Sequence, residues 1–179
     1  VYHRVKNKLQ IVDSLMLLES RRLADPEAKS SIANLRSRIY ALGLMHQHLM
    51  LSDDLETLDI ATLLHELVDS MVASFDLEGR GLAVTVQVQP AKVDLDFATP
   101  IGLIVTELVM NAVKYAQGAT TLAVAFHPNG DGTAQLVVSD NGQPPPPPPP
   151  PGELPPALPS SGSGTKIVDS LVRQLSGRL

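Results

Sequence analysis

Along residues 1 to about 50, apolar side chains recur at intervals of three, four and seven. Val5, Leu9, Val12, Met16 and Leu23 make one series; Ile32, Leu35, Ile39, Leu42 and Leu49 make a second, with His46 filling its missing step. Such spacing lays one apolar seam along each of two helices. Between them, Asp25-Pro26 reads as a turn and a helix start, with Pro26 at the first helical position, where its missing N–H costs nothing. Two helices cannot bury both seams by themselves. A second copy completing a four-helix bundle is the expected solution, and packing of the hairpin on the remainder of its own chain is the alternative.

Past Leu51 the rhythm changes. Asp53 to Asp59 is a polar connector, and Asp59 is placed to cap a helix running to about Phe75, which Gly79-Arg80-Gly81 breaks. "LAVTVQV" (82–88) and "VDLDF" (93–97) alternate apolar and polar residues, the mark of half-buried strands. Thr99-Pro100 reads as a cap followed by proline at the first position of a helix to about Ala116. "TTLAVAF" (121–126 with its flank) and "AQLVVSD" (134–140) are two further strands, joined by the hairpin-turn sequence "HPNGDG". Eight consecutive prolines, Pro144 to Pro151, can enter neither a helix nor a sheet interior. A last helix is expected from about Thr165 to Leu175. The pattern predicts a helical hairpin over residues 1–55, then helices layered on a sheet over 56–179, with a flexible proline-rich lid at 143–161.

Composition narrows this picture. With no tryptophan and 3% aromatic residues, the core must be built from Leu, Val, Ile, Ala and Met. A net charge of −5 gives no electrostatic reason to expect nucleic acid or an anionic membrane as partner. The absence of cysteine removes disulfides, thiolate catalysis and cysteine-based zinc sites, and suits a reducing, cytoplasmic compartment. No apolar run stands out as a membrane span of about 18 residues. Because Val1 falls inside a charged helical pattern, the expectation is a fragment of a larger protein.

Four places hold candidate chemistry. In "HRVKN" (3–7), His3 shares a helix face with Asn7, and Lys6 is within reach. Such an imidazole serves as base, metal ligand, phosphate-accepting nucleophile or simply a solvated residue. In "IGLIVTELVMNAVKYA" (101–116), Glu107, Asn111 and Lys114 fall at i, i+4 and i+7. That polar stripe is either a solvated face or the edge of a cleft offering oxygen ligands to Mg²⁺ and an ammonium to phosphate. Asp140-Asn141-Gly142 follows a strand: Asp140 can accept from a base amino group and Gly142 admits close approach to the backbone, although the same tripeptide is a common turn. "SGSGTKIV" (161–168) sets Gly162 and Gly164 just before Thr165 and a helix, a loop type that presents amides to phosphate.

In this order the four motifs resemble those of the two-component sensor histidine kinases, over nearly the whole chain. "HRVKNKLQIV" is similar to the phosphoacceptor box of the subfamily whose histidine is followed by Arg-x-Lys-Asn. "ELVMNAVKYA" resembles the N box, "VVSDNG" the G1 box and "GSGTKIVDSLVRQL" the G2 box. The resemblance implies a dimeric four-helix bundle made of α-helical hairpins, followed by an α/β sandwich of the GHKL (Bergerat-like) ATPase type. It implies ATP and Mg²⁺ as cofactors, a homodimer, and a response regulator receiver domain as partner. Direct membrane contact is not expected of this part of the chain, and a sensor region is expected before it in a bacterial cytoplasmic protein. His3 would be the phosphoacceptor, Asn111 the Mg²⁺ ligand, and Glu107 a helper at the metal or the attacking water. Lys114 would meet the phosphates and Asp140 the adenine amino group, while Gly142, Gly162, Gly164 and Thr165 would shape the pocket.

Three departures from the family pattern stand out. The sequence ends at "LSGRL", where the family would continue into another strand, so that a truncated sequence or a short sheet is expected. The two others bear on activity. The G1 box ordinarily continues to a second glycine, and Pro144 stands there, with fixed φ and no N–H. Eight residues of polyproline II extend about 25 Å as a stiff rod within the expected lid. Three functions follow: an active ATP-dependent histidine kinase; a phosphotransferase or phosphatase acting on a response regulator without ATP turnover; and an interaction module whose prolines recruit a groove-binding domain.

Overall fold

The computed structural model describes residues 2–143 and 163–179, with the side chains of 2–8, 10 and 163 left aside. The proline run of the expected lid, with Pro144 and Gly162, lies outside the described residues. Helices α1 (Tyr2–Arg22) and α2 (Pro26–Leu51) form the hairpin. The turn has the expected chemistry: Pro26 opens α2, and the Asp25 carboxylate accepts from the Glu27 N–H at 3.0 Å. Two contacts fix the antiparallel register. Leu9 lies so close to Gly43 that a Cβ there would stand 2.8 Å from its Cδ1, and Arg36 donates two hydrogen bonds to Asp13, at 2.7 and 3.0 Å.

The expected seam on α2 is only partly buried within one chain. Leu35 and Leu42 are 45% and 42% exposed, while Leu49 is buried together with Ala41, Leu44 and Met45, which the seam did not include. α2 is apolar on two faces, and the buried one meets the remainder of its own chain, where Met45 packs over Gly102 with 3.0 Å to a hypothetical Cβ. The hairpin therefore does pack on its own chain. It also leaves Ile11, Leu15 and Leu18 of α1 more than half exposed.

β1 (Thr57–Asp59) pairs antiparallel with β3 (Lys92–Asp94), bracketing α3 (Ile60–Phe75). Asp59 caps α3 as expected, accepting from the N–H groups of Ala61 and Thr62. The second sheet has the order β2-β4-β5, from β2 (Ala83–Val88), β4 (Thr121–Pro128) and β5 (Ala134–Asp140). β2 and β4 are parallel, so the chain between them must cross over, and α4 (Leu95–Tyr115) makes that crossing. β4 turns back antiparallel into β5, with Val124 opposite Val138. Leu122, Val124 and Phe126 of β4 point into the core shared with α3 and α4, and Phe126 meets Phe97 edge-on at 6.4 Å. α5 (Ser163–Gln174) begins two residues before the expected Thr165. The fold is a helical N-terminal region followed by a mixed α/β sheet domain.

Around α4 the sequence reading needs two corrections. "VDLDF" is strand only to Asp94, which caps the helix by accepting from the Phe97 N–H at 2.8 Å. Pro100 then lies inside α4 and not at its start. The Asp94 cap, three residues ahead of its donor, outcompetes Thr99-Pro100, and the buried Pro100 simply forgoes one intrahelical bond. α4 is long and apolar enough to meet the length and composition criteria for a span, but its residues fill the protein core.

Candidate functional site

Glu107, Asn111 and Lys114 run along one side of α4 from the core to its open end. Glu107 is 3% exposed, Asn111 half-buried and Lys114 exposed, so the stripe is not a solvated face. A carboxylate that deep requires compensation. It comes from Arg38 of α2, which the sequence did not single out. Arg38 Nε donates to Glu107 Oε1, and Nη2 donates to Oε2 at 2.9 Å, a two-pronged pair that occupies both oxygens. The only signal for Arg38 was its place one turn from Ala41, at the border of the expected seam on α2.

α5 closes over the same carboxylate. A Cβ on the buried Gly164 would stand 2.6 Å from Glu107 Oε2 and 3.6 Å from Asn111 Oδ1. Only glycine lets the first turn of α5 come so near, and the positive end of that helix lies against the negative charge. Thr165 is exposed on the same turn. Burial lowers the pKa of Lys114; attraction from Glu107 opposes this, and repulsion from Arg38 adds to it. An ammonium partly withdrawn from water in this way gains from an anionic ligand.

At the end of β5, Asp140 is exposed and accepts from the Gly142 N–H at 2.9 Å. Asn141 is structural: its Oδ1 accepts from the N–H groups of Thr120 and Thr121, at 2.8 and 2.9 Å. Gly142 meets Ala116 at the end of α4, where a Cβ would lie 2.8 to 2.9 Å from side-chain and backbone atoms. That contact already demands glycine and ties the end of β5 to the end of the polar stripe.

Glu107, Asn111, Gly164 and Thr165 are thus brought together. Lys114 is electrostatically coupled to them, and Asp140 and Gly142 sit at the neighbouring end of α4. His3, on the first turn of α1, is not brought to them: α1 packs on α2. Beside the Arg38 pair, between α2 and α4, lies a cavity of about 300 Å³ that reaches Asn34, Arg80 and Lys114. The buried Asn34 Oδ1 has no hydrogen-bond partner among the described residues. No cluster of three or more His, Asp or Glu side chains suited to a metal occurs among the described residues. Mg²⁺ held mainly by nucleotide phosphates needs only one or two protein oxygens. Asn111 Oδ1 beside Glu107 fits that requirement.

Comparison with known proteins gives a consistent answer. A family model described as "Histidine kinase" matches residues 1–75, and one described as "Histidine kinase-like ATPase domain" matches residues 82–178. A sensor histidine kinase of Mycolicibacterium smegmatis, PdtaS, is 33% identical over 123 residues, covering 68% of this chain and 24% of that protein. Blue-light-activated histidine kinase 2 of Erythrobacter litoralis is 29% identical over 118 residues, 65% of this chain and 34% of that protein. The chain thus spans about a quarter to a third of the curated relatives it matches. Among solved structures, an Erythrobacter litoralis blue-light activated histidine kinase superposes with a TM-score of 0.62 at 25% identity, covering 97% of this chain and 54% of that one.

Proposed function

The chain belongs to the histidine kinases, and from that premise we propose that it is the core of a sensor histidine kinase. It transfers the γ-phosphoryl group of ATP to His3 and passes it to an aspartate of a response regulator receiver domain. The observation that carries this reading is the meeting of the Glu107–Asn111–Lys114 stripe with Gly164 at the start of α5, because phosphoryl transfer asks mainly for placement and charge neutralisation. Residues 1–55 act as the phosphoacceptor and dimerisation hairpin and residues 56–179 as the ATP-binding unit.

Asp140 accepts from the adenine amino group, and Lys114 and the α5 N-terminus with Thr165 meet the phosphates. Gly142, Gly162 and Gly164 leave room for the nucleotide. Asn111 Oδ1 holds Mg²⁺, with Glu107 beside it; the ion supplies charge neutralisation at the phosphates. A neutral imidazole nitrogen of His3 bonds to the γ-phosphorus as the bond to the bridging oxygen breaks, and ADP leaves with that electron pair. The proton on the other ring nitrogen passes to a base, a role suited to the Glu107 carboxylate. The exposed Ile11, Leu15 and Leu18, with Leu35 and Leu42 on α2, support a homodimer in which two hairpins make a four-helix bundle.

Incubation with γ-radiolabelled ATP tests this directly. Label is expected on the wild type, none on His3→Ala, and little on Asn111→Ala. A second reading draws on Pro144, which stands where the G1 box has its second glycine. In that reading His3 exchanges phosphoryl groups with a regulator without ATP turnover. Absence of label from ATP, with label accepted from a phosphorylated receiver domain, selects it.

A further inference from the structure

The two prongs of Arg38 do more than compensate a buried charge. They bind the hairpin to α4 at one height and leave neither oxygen of Glu107 free. The height can be read from the hairpin register. Leu9 lies against Gly43 and Asp13 against Arg36, so Arg38 stands level with about residue 12 of α1. His3 is therefore displaced from the Arg38–Glu107 pair by roughly 14 Å along the bundle, at about 1.5 Å of rise per residue. α4 runs antiparallel to α2, with Gly102 by Met45 and Glu107 by Arg38. Asn111 and Lys114 consequently lie still further from His3. A second copy does not close this gap. In a bundle whose two-fold axis runs along the helices, the same histidine on the other copy stands at the same height.

The seam around the pair is unevenly filled. Towards the His3 end, Ala41, Met45 and Leu49 are buried. On the other side lie the 300 Å³ cavity and Asn34 Oδ1, which has no hydrogen-bond partner among the described residues. On that side the Arg38 fork is the one ion pair that ties α2 to α4 among the described residues.

We propose that Arg38 is a positioning residue that latches this protein in a resting register. Its fork occupies Glu107 and holds the hairpin where His3 cannot reach the phosphoryl group, and transfer requires the fork to open. The consequence for transfer rests on the kinase reading; the latch itself does not. Opening moves α2 along or away from α4 and frees the Glu107 carboxylate in the same step, so that access of His3 and availability of the carboxylate are coupled.

The chain has no native cysteine, so spin labels can be placed at Ser31→Cys on α2 and Gln135→Cys on β5, both exposed. Pulsed electron paramagnetic resonance then reads the distance between hairpin and sheet. One narrow distribution is expected without nucleotide, and a second, displaced population with Mg²⁺ and a non-hydrolysable ATP analogue. Arg38→Gln, which removes the fork, should show the displaced population without nucleotide. Arg38→Lys, which keeps the charge and loses the fork, should show a smaller shift of the same kind, and it decides the matter alone if the glutamine variant fails to fold. In the unlabelled protein, Arg38→Gln should raise kcat for His3 labelling about threefold or more with little change in KM for ATP. An unchanged distance distribution in the Arg38 variants overturns the latch. So does a fall in kcat that Arg38→Lys rescues, which would make Arg38 a support of the active arrangement. If no form transfers phosphoryl to His3, the kinase reading fails and the distances still judge the latch: displaced in the variants supports it, unchanged overturns it.

Discussion

Glu107 illustrates how much of this protein's behaviour depends on single contacts. Burying a carboxylate without a partner is costly, and removing one member of a buried pair typically costs about 3–5 kcal/mol. Arg38 is itself one-fifth exposed, which favours the lower end. Glu107→Ala should therefore lower stability by about 3 kcal/mol in urea unfolding. Replacing both partners by Met and Leu should cost little or even stabilise, because no charge is then left stranded. A double-mutant cycle by denaturant melts checks both statements. Gly164 is the other sensitive residue. Ala there would press on a carboxylate already held by Arg38, and we expect a loss of about 1–3 kcal/mol together with weaker nucleotide binding by calorimetry. Gly164 was legible only through the order of the four motifs, because a lone Gly-x-Gly before a helix is weak evidence. Arg38 was not, since its meaning lies wholly in a residue 69 positions away.

At the level of elements, caps decided where helices begin. Asp59 was readable as a cap, and its carboxylate shows why: burial raises its pKa, yet hydrogen bonds from the Thr62 hydroxyl and the Thr62 and Ala61 amides outweigh this and hold it below the usual range. Because the folded value is the lower one, the stabilisation is complete above the unfolded pKa of about 3.9. It is lost as pH falls through the folded value. Asp59→Ala should cost about 1 kcal/mol at neutral pH. Melts of the two proteins should converge below pH 4. Asp94 was missed as a cap because "VDLDF" also satisfies a strand pattern, and Thr99-Pro100 offered a second plausible start. Local sequence could not rank these signals; the pairing of β3 with β1 did, by ending the strand at Asp94. β1 itself, three residues in a polar connector, carried no alternation to read.

At the level of the whole molecule, the hairpin has two apolar faces and one chain satisfies only one. The exposed stripe of Ile11, Leu15 and Leu18 calls for a second copy. Leu15→Glu with Leu18→Glu should convert a dimer to a monomer in sedimentation velocity while leaving the helical signal largely intact. The wild type sedimenting as a monomer at high concentration would remove the four-helix bundle from the account.

Periodicity, capping residues and the order of four motifs were enough to determine a helical hairpin, the sheet domain after it and the family, because these depend on neighbours a few positions apart. Which face of α2 is buried, that Gly142 answers to Ala116, and that Arg38 holds Glu107 were decided only by the tertiary structure. Each of these is set by packing between segments distant in the chain, where two local patterns of equal merit compete and only the one that finds a complementary surface is kept.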